Sequence, residues 1–115
     1  MDLFRHATDF ETHPAGTVLL RHGTPGDRMF VIQDGHVDIR LGERTFEQLG
    51  PGGLFGEMAL ADKSPRSATA IAVSDVRLVA IDERRFLRPV QESPGFAIEV
   101  LRGMARRLRD MDSRA

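Results

Sequence analysis

Hydrophobic and polar positions change texture once along this chain. From about residue 8 to residue 82, short apolar runs are broken about every 8–12 residues by Gly, Pro and Asp turn signals, a rhythm that predicts an antiparallel β-sandwich or barrel. "HPAG" (13–16) opens a strand through Val18 and Leu20, and "HGTPGD" (22–27) reads as a turn. "RMFVIQ" is a short, continuously apolar strand. Asp34-Gly35 predicts a two-residue hairpin, because a type I′ turn needs positive φ at both central positions. The strand after it alternates, with Val37, Ile39 and Leu41 on one side and His36, Asp38 and Arg40 on the other. Gly42-Glu43 predicts a second tight turn into Phe46 and Leu49, and "GPGG" a loop. "SATAIAV" and "VRLVAI" give two further strands around Ser74-Asp75.

The pattern turns helical from residue 83. In "DERRFLRPVQ", Asp82 is placed as an N-cap, and Pro89 limits or kinks the helix near its end. In "SPGFAIEVLRGMARRLRDMDSRA", Ser93 suits the N-cap and Pro94 the first helical position. Phe96, Val100, Met104, Leu108 and Met111 recur at helical spacing, giving that helix one apolar face. The expected architecture is one domain over 1–115, mainly β with C-terminal α-helices: strands over about 8–82, helices over about 83–112.

Composition narrows the function. The chain has 115 residues, 41% of them hydrophobic, which is enough for a core. Charged residues make up 29% and nearly cancel, leaving a net charge of -1. A direct nucleic-acid or membrane-surface binder would carry a basic excess. Cysteine is absent, which removes disulfides, thiolate metal sites and thiol nucleophiles. No apolar run reaches membrane-spanning length, and "MDLFRHATDFETH" lacks the basic start and apolar middle of a signal peptide. A cytoplasmic location is expected.

Candidate chemistry concentrates in "GGLFGEMALADKSPRSATA", residues 52–70. Gly52, Gly53 and Gly56 allow close backbone approach to a ligand. "GEMALAD" reads as a short helix after a Gly-rich loop, which offers N–H groups to an anion. Arg66 adds a planar fork that matches two phosphate oxygens. Glu57 would repel that phosphate and must face a donor such as a sugar hydroxyl. Ala59, Ala68 and Ala70 leave room for a ring system, and Ser67 and Thr69 add hydroxyls beside the guanidinium. A compact ligand with one anionic group near one hydroxyl, such as a ribose phosphate, fits this set. The competing reading is a Glu57–Arg66 ion pair closing a loop.

"FGEMAL" followed by "SPRSAT" resembles the phosphate-binding cassette of the cyclic nucleotide-binding domain family. That family includes regulatory subunits of cAMP-dependent protein kinase, cyclic-nucleotide-gated channels and the catabolite activator protein. "PAGTVLLRHGTPGDRMFVIQDGHVDI" is similar to the family's glycine-rich first half, so the likeness covers about 14–92 well and the final helix loosely. The resemblance implies an eight-stranded jelly-roll barrel flanked by helices, with no catalysis and no cofactor. Its ligand would be a 3′,5′-cyclic nucleotide, cAMP in preference to cGMP. By position, the site would comprise Phe55, Gly56, Glu57, Met58, Ala59, Arg66, Ser67 and Ala68. Gly56 and Ala59 would offer amides, Glu57 would accept from the ribose 2′-hydroxyl, and Arg66 would hold the cyclic phosphate with Ser67 beside it. Met58 and Phe86 would couple ligand to helix movement, and Met111 would cover the base. A member that keeps the fold but binds no nucleotide, serving as an interaction or dimerisation domain, is the alternative.

The remaining residues change little. The four histidines show no metal-ligand spacing, and His36 falls on the outward face of its strand. No metal site and no poised acid/base pair is evident, so an enzyme is not expected. Arg102, Arg106, Arg107 and Arg109 form either a solvated face or a dock for an acidic partner or a membrane. "MARRLR" is similar to the dimerising helix of the transcription-factor branch, so a homodimer or a protein partner through the last helix is expected. With no DNA-binding, kinase or pore segment in view, the output would pass through that partner or through a longer protein.

Overall fold

A computed structural model describes residues 4–57, 65–66 and 68–113, with backbone alone for 89 and 107–113. Eight strands precede two helices: β1 (Glu11–His13), β2 (Val18–Leu20), β3 (Arg28–Asp34), β4 (Val37–Leu41), β5 (Arg44–Leu49), β6 (Leu54–Phe55), β7 (Thr69–Ala72), β8 (Val76–Asp82), α1 (Glu83–Glu92) and α2 (Gly95–Ser113). The expected mainly-β fold with C-terminal helices is present. The strands form two four-stranded antiparallel sheets, ordered β1-β8-β3-β6 and β2-β7-β4-β5, rather than one closed barrel.

The side-chain period of two explains the layering. In β3, Phe30 and Ile32 point into the space between the sheets, while Met29 and Val31 point to the other face. In β8, Val76 and Leu78 face the other sheet, and Val79 and Ile81 face away from it. The outer face of this sheet is covered by Phe96 and Val100 of α2, Phe86 and Val90 of α1, and Phe4. A strand buried on both faces reads as an unbroken apolar run, which is why "RMFVIQ" and "VRLVAI" do not alternate.

The Asp34-Gly35 hairpin expectation is corrected. β3 and β4 lie in different sheets, so Gly35 turns a corner between layers. The Ser74-Asp75 turn crosses between the same layers, and the two corners are tied together: the His36 N–H donates to Ser74 Oγ at 3.0 Å and the Val73 N–H to the His36 carbonyl at 3.1 Å. Gly35 has φ +90, and a Cβ there would sit 2.7 Å from Val76 Cγ1. Gly42-Glu43 does make the expected tight turn, with Leu41 opposite Arg44 in the β4–β5 pair.

β4 departs from its clean alternation. Val37 and Ile39 are buried as expected, but Leu41 is exposed, and Asp38 on the outward face is only 5% exposed. Arg40 Nη2 donates to Asp38 Oδ2 at 3.1 Å, and Asp38 is flanked across the strands by Gln48 and Ile71. Two neighbouring strands and a paired arginine bury a carboxylate that alternation alone would leave in solvent.

The start of α1 follows its capping residue, while α2 begins at Gly95, one residue after the expected Pro94. Asp82 Oδ1 accepts from the Arg85 N–H at 2.8 Å, the expected N-cap of α1. Pro89 does not end that helix, which runs on to Glu92. The apolar face foreseen for α2 packs on the outer face of the β3–β8 sheet at Phe96, Val100 and Met104. A second stripe on the opposite side, Ile98 and Leu101, is exposed.

Candidate functional site

β6 brings Phe55 in beside β3, where its ring stacks on Phe30 with centroids 5.4 Å apart. Phe55 is thus turned into the core, supporting the chain that follows from beneath. Gly56 then adopts φ +81, a conformation that disfavours side chains. A Cβ on it would lie 3.0 Å from Arg66 Nη1 and 3.2 Å from the Arg28 carbonyl oxygen. The turn after Gly56 carries Glu57 inward, where it is 1% exposed.

Arg66 arrives from the other side, just ahead of β7. Its backbone is clamped to the loop between β2 and β3: the Arg66 N–H donates to the Thr24 carbonyl and the Gly23 N–H to the Arg66 carbonyl, each at 2.8 Å. The His22 N–H donates to Thr69 Oγ1 at 3.0 Å, extending this clamp by one side chain. The Arg66 side chain follows the same loop. Nη1 donates to the Arg28 carbonyl at 2.8 Å and to the Gly56 carbonyl at 3.1 Å. The residue is 8% exposed. Ala68 is partly buried against the inter-sheet core.

The electrostatics are those of a cation drawn out of water. Burial pushes the Arg66 pKa below its ordinary value; Asp27 opposes that shift, Arg28 adds to it, and Glu57 opposes it. Both Nη1 partners are neutral carbonyls, which orient a guanidinium without neutralising it. An anion meeting this fork would regain the charge interaction that burial removes. Glu57 acts on Arg66 more weakly than Asp27 does.

The structure therefore brings Gly56, Glu57 and Arg66 together, with Phe55 and Ala68 packed below them. Met58, Ala59 and Ser67 lie outside the described residues, as does the short helix expected over "GEMALAD", apart from Gly56 and Glu57. Met111 is in α2, with only its backbone described. Phe86 packs on Phe96, with ring centroids 5.2 Å apart. Residue-by-residue reading missed the contribution of the 22–27 loop and the first residue of β3, whose carbonyls at Thr24 and Arg28 hold Arg66. The loop's Gly- and Pro-rich composition was the available signal. Among the described residues no group of His, Asp and Glu is placed to hold a metal, and no helix is long and apolar enough to cross a membrane.

Comparison with known proteins shows the family. The family model for the cyclic nucleotide-binding domain matches residues 10–93. The cyclic AMP receptor protein of Thermus thermophilus is 38% identical over 105 residues, covering 87% of this chain and 49% of that protein. A cyclic nucleotide-gated potassium channel of Mesorhizobium japonicum is 43% identical over 94 residues, covering 82% of this chain and 26% of the channel. The chain thus spans half or less of the length of these curated relatives. A solved structure from a cyclic-GMP-dependent signalling pathway that regulates bacterial phytopathogenesis superposes with a TM-score of 0.76 at 32% identity, covering 95% of this chain and 92% of that one. With Gly56, Glu57 and Arg66 brought together between the end of β6 and the start of β7, and the family model spanning most of the sequence, this chain belongs to the cyclic nucleotide-binding domain family.

Proposed function

We propose that this chain is a non-catalytic regulatory module that binds a 3′,5′-cyclic nucleotide, cAMP in preference to cGMP, in the cassette between β6 and β7. The observation that carries the reading is the buried Arg66 guanidinium, aimed by two neutral carbonyls and set near a buried carboxylate. A cyclic nucleotide has one phosphate charge beside one free 2′-hydroxyl, matching one cation and one acceptor. In this reading Arg66 takes the cyclic phosphate and Glu57 accepts from the 2′-hydroxyl. Gly56 and Ala59 supply amides, Ser67 flanks the phosphate, and Phe55, Met58 and Ala68 shape the floor. Met111 covers the base from α2.

The output would be mechanical. α1 and α2 rest on the outer face of the β3–β8 sheet through Phe86 and Phe96, so a cassette that moves on binding, with Met58 against Phe86, would shift both helices together. A protein partner or a second copy would read that shift on α2, where Ile98 and Leu101 are exposed. Such a module would act in the cytoplasm, without touching nucleic acid or membrane itself.

Calorimetry on refolded, ligand-stripped chain tests this reading. cAMP should bind, cGMP should bind more weakly, and Arg66→Ala should cost about 2–5 kcal/mol of affinity, because a desolvated phosphate loses its charged partner. No heat with either nucleotide at high concentration would leave a ligand-independent interaction domain in its place.

A further inference from the structure

The glycine at position 26 is not explained by its backbone. It lies in the loop between β2 and β3, yet it is not among the glycines with positive φ, so alanine would suit its conformation. What singles it out is its neighbour. A Cβ built on Gly26 would sit 2.8 Å from Arg66 Cδ and nearer still to Nε and Cζ, well inside van der Waals contact. The guanidinium crosses Gly26 on its way to the Arg28 and Gly56 carbonyls. The backbone on either side is fixed, since Gly23 and Thr24 are bonded to Arg66 and Arg28 begins β3. With a Cβ at position 26 the Arg66 side chain has to shift, and the path it would leave is the one on which the Arg28 and Gly56 carbonyls hold its Nη1.

We propose that Gly26 is a positioning residue for the anion site: its missing Cβ opens the channel along which the Arg66 side chain lies, and so sets where the guanidinium meets the ligand's phosphate. The affinity part of this proposal rests on the cyclic-nucleotide reading above; the steric part does not. An alanine at 26 forces the Arg66 stem off the loop, breaks its Nη1 bonds to the carbonyls and displaces the fork from the phosphate position. The surrounding fold is unchanged in this view, because the added methyl meets only Arg66 among its three nearest atoms.

Two measurements on the full chain separate these parts. The first is a thermal double-mutant cycle without ligand, comparing the parent, Gly26→Ala, Arg66→Ala and the double variant. Gly26→Ala should lower Tm in the parent and leave it unchanged or slightly raised in the Arg66→Ala background, where the clash is gone and alanine restricts the unfolded chain. Equal losses of Tm in both backgrounds would overturn the proposal. Should Gly26→Ala alone fail to fold, a folded double variant supports it and an unfolded one overturns it. The second is titration of parent and Gly26→Ala with cAMP, where the variant should bind at least about tenfold more weakly. Parent-like affinity would overturn the proposal whatever the melting curves show. A parent that bound neither cAMP nor cGMP would overturn the nucleotide reading and the affinity part with it, while the steric part would still stand or fall on the thermal cycle.

Discussion

In the proposed reading, Arg66 and Glu57 divide the work of the site by charge, and both are buried. An arginine 8% exposed and a glutamate 1% exposed carry charges that are costly to leave without suitable partners. Carbonyls of Arg28 and Gly56 orient the cation. For the carboxylate, the account assigns a sugar hydroxyl as its donor when ligand is bound. 2′-Deoxy-cAMP should accordingly bind about 1–3 kcal/mol more weakly than cAMP in a competition titration, since Glu57 would face a site with no hydroxyl to pair. Equal affinity for the two nucleotides would remove Glu57 from the binding account. That the two residues belong to one place was legible in the sequence, because they stand in one short stretch with glycines and a proline; whether they pair with each other or with a ligand was left open by it. The carbonyls of Thr24 and Arg28 were not legible, since any residue supplies a backbone oxygen, and only the folded loop shows where it points.

At the scale of elements, local signals told strands from helices but not which strand joins which sheet. Asp34-Gly35 and Gly42-Glu43 look alike as dipeptide turns, yet one is a corner between layers and the other closes a hairpin. The difference lies in the Ser74-Asp75 turn that packs on Gly35, 40 residues along the chain from it. Continuous apolar runs in β3 and β8 were read correctly as strands, and the reason for their continuity emerged only with the helices in place. One further tie joins elements distant in sequence. Arg85 on α1 pairs with Asp9 at 2.6 Å, and its guanidinium lies over the Phe4 ring. Its hydrogen bond to Asp9, with a backbone bond and its charge, holds that carboxyl below its ordinary value of 3.8. Because the folded pKa is depressed, the tie stabilises the fold above the unfolded value and is lost as pH falls through the lower folded value. Thermal melts from about pH 6 down to about pH 3 should therefore show a shallower acid-side decline for Asp9→Asn than for the parent. Parallel declines would show that the exposed pair contributes nothing to stability, as many surface pairs do.

The whole molecule is layered: one sheet, a second sheet, then helices. Gly56 and Glu57 follow β6 of one sheet, Arg66 precedes β7 of the other, and the helices cover the far face of the β6-bearing sheet. In the proposed reading, a change at the site on binding would reach α1 and α2 through the sheet on which both helices pack. Spin labels on α2 at Leu101 and on β4 at Leu41, both exposed, should report a changed separation on saturation with cAMP. An unchanged distance would mean that ligand does not bias two arrangements of the helices. The most direct test of the central claim is a crystal structure of the chain grown with cAMP. The account requires the cyclic phosphate within hydrogen-bond reach of the Arg66 guanidinium and the ribose 2′-hydroxyl on a Glu57 carboxylate oxygen. A nucleotide seated elsewhere, or one whose phosphate meets no atom of Arg66, would contradict it.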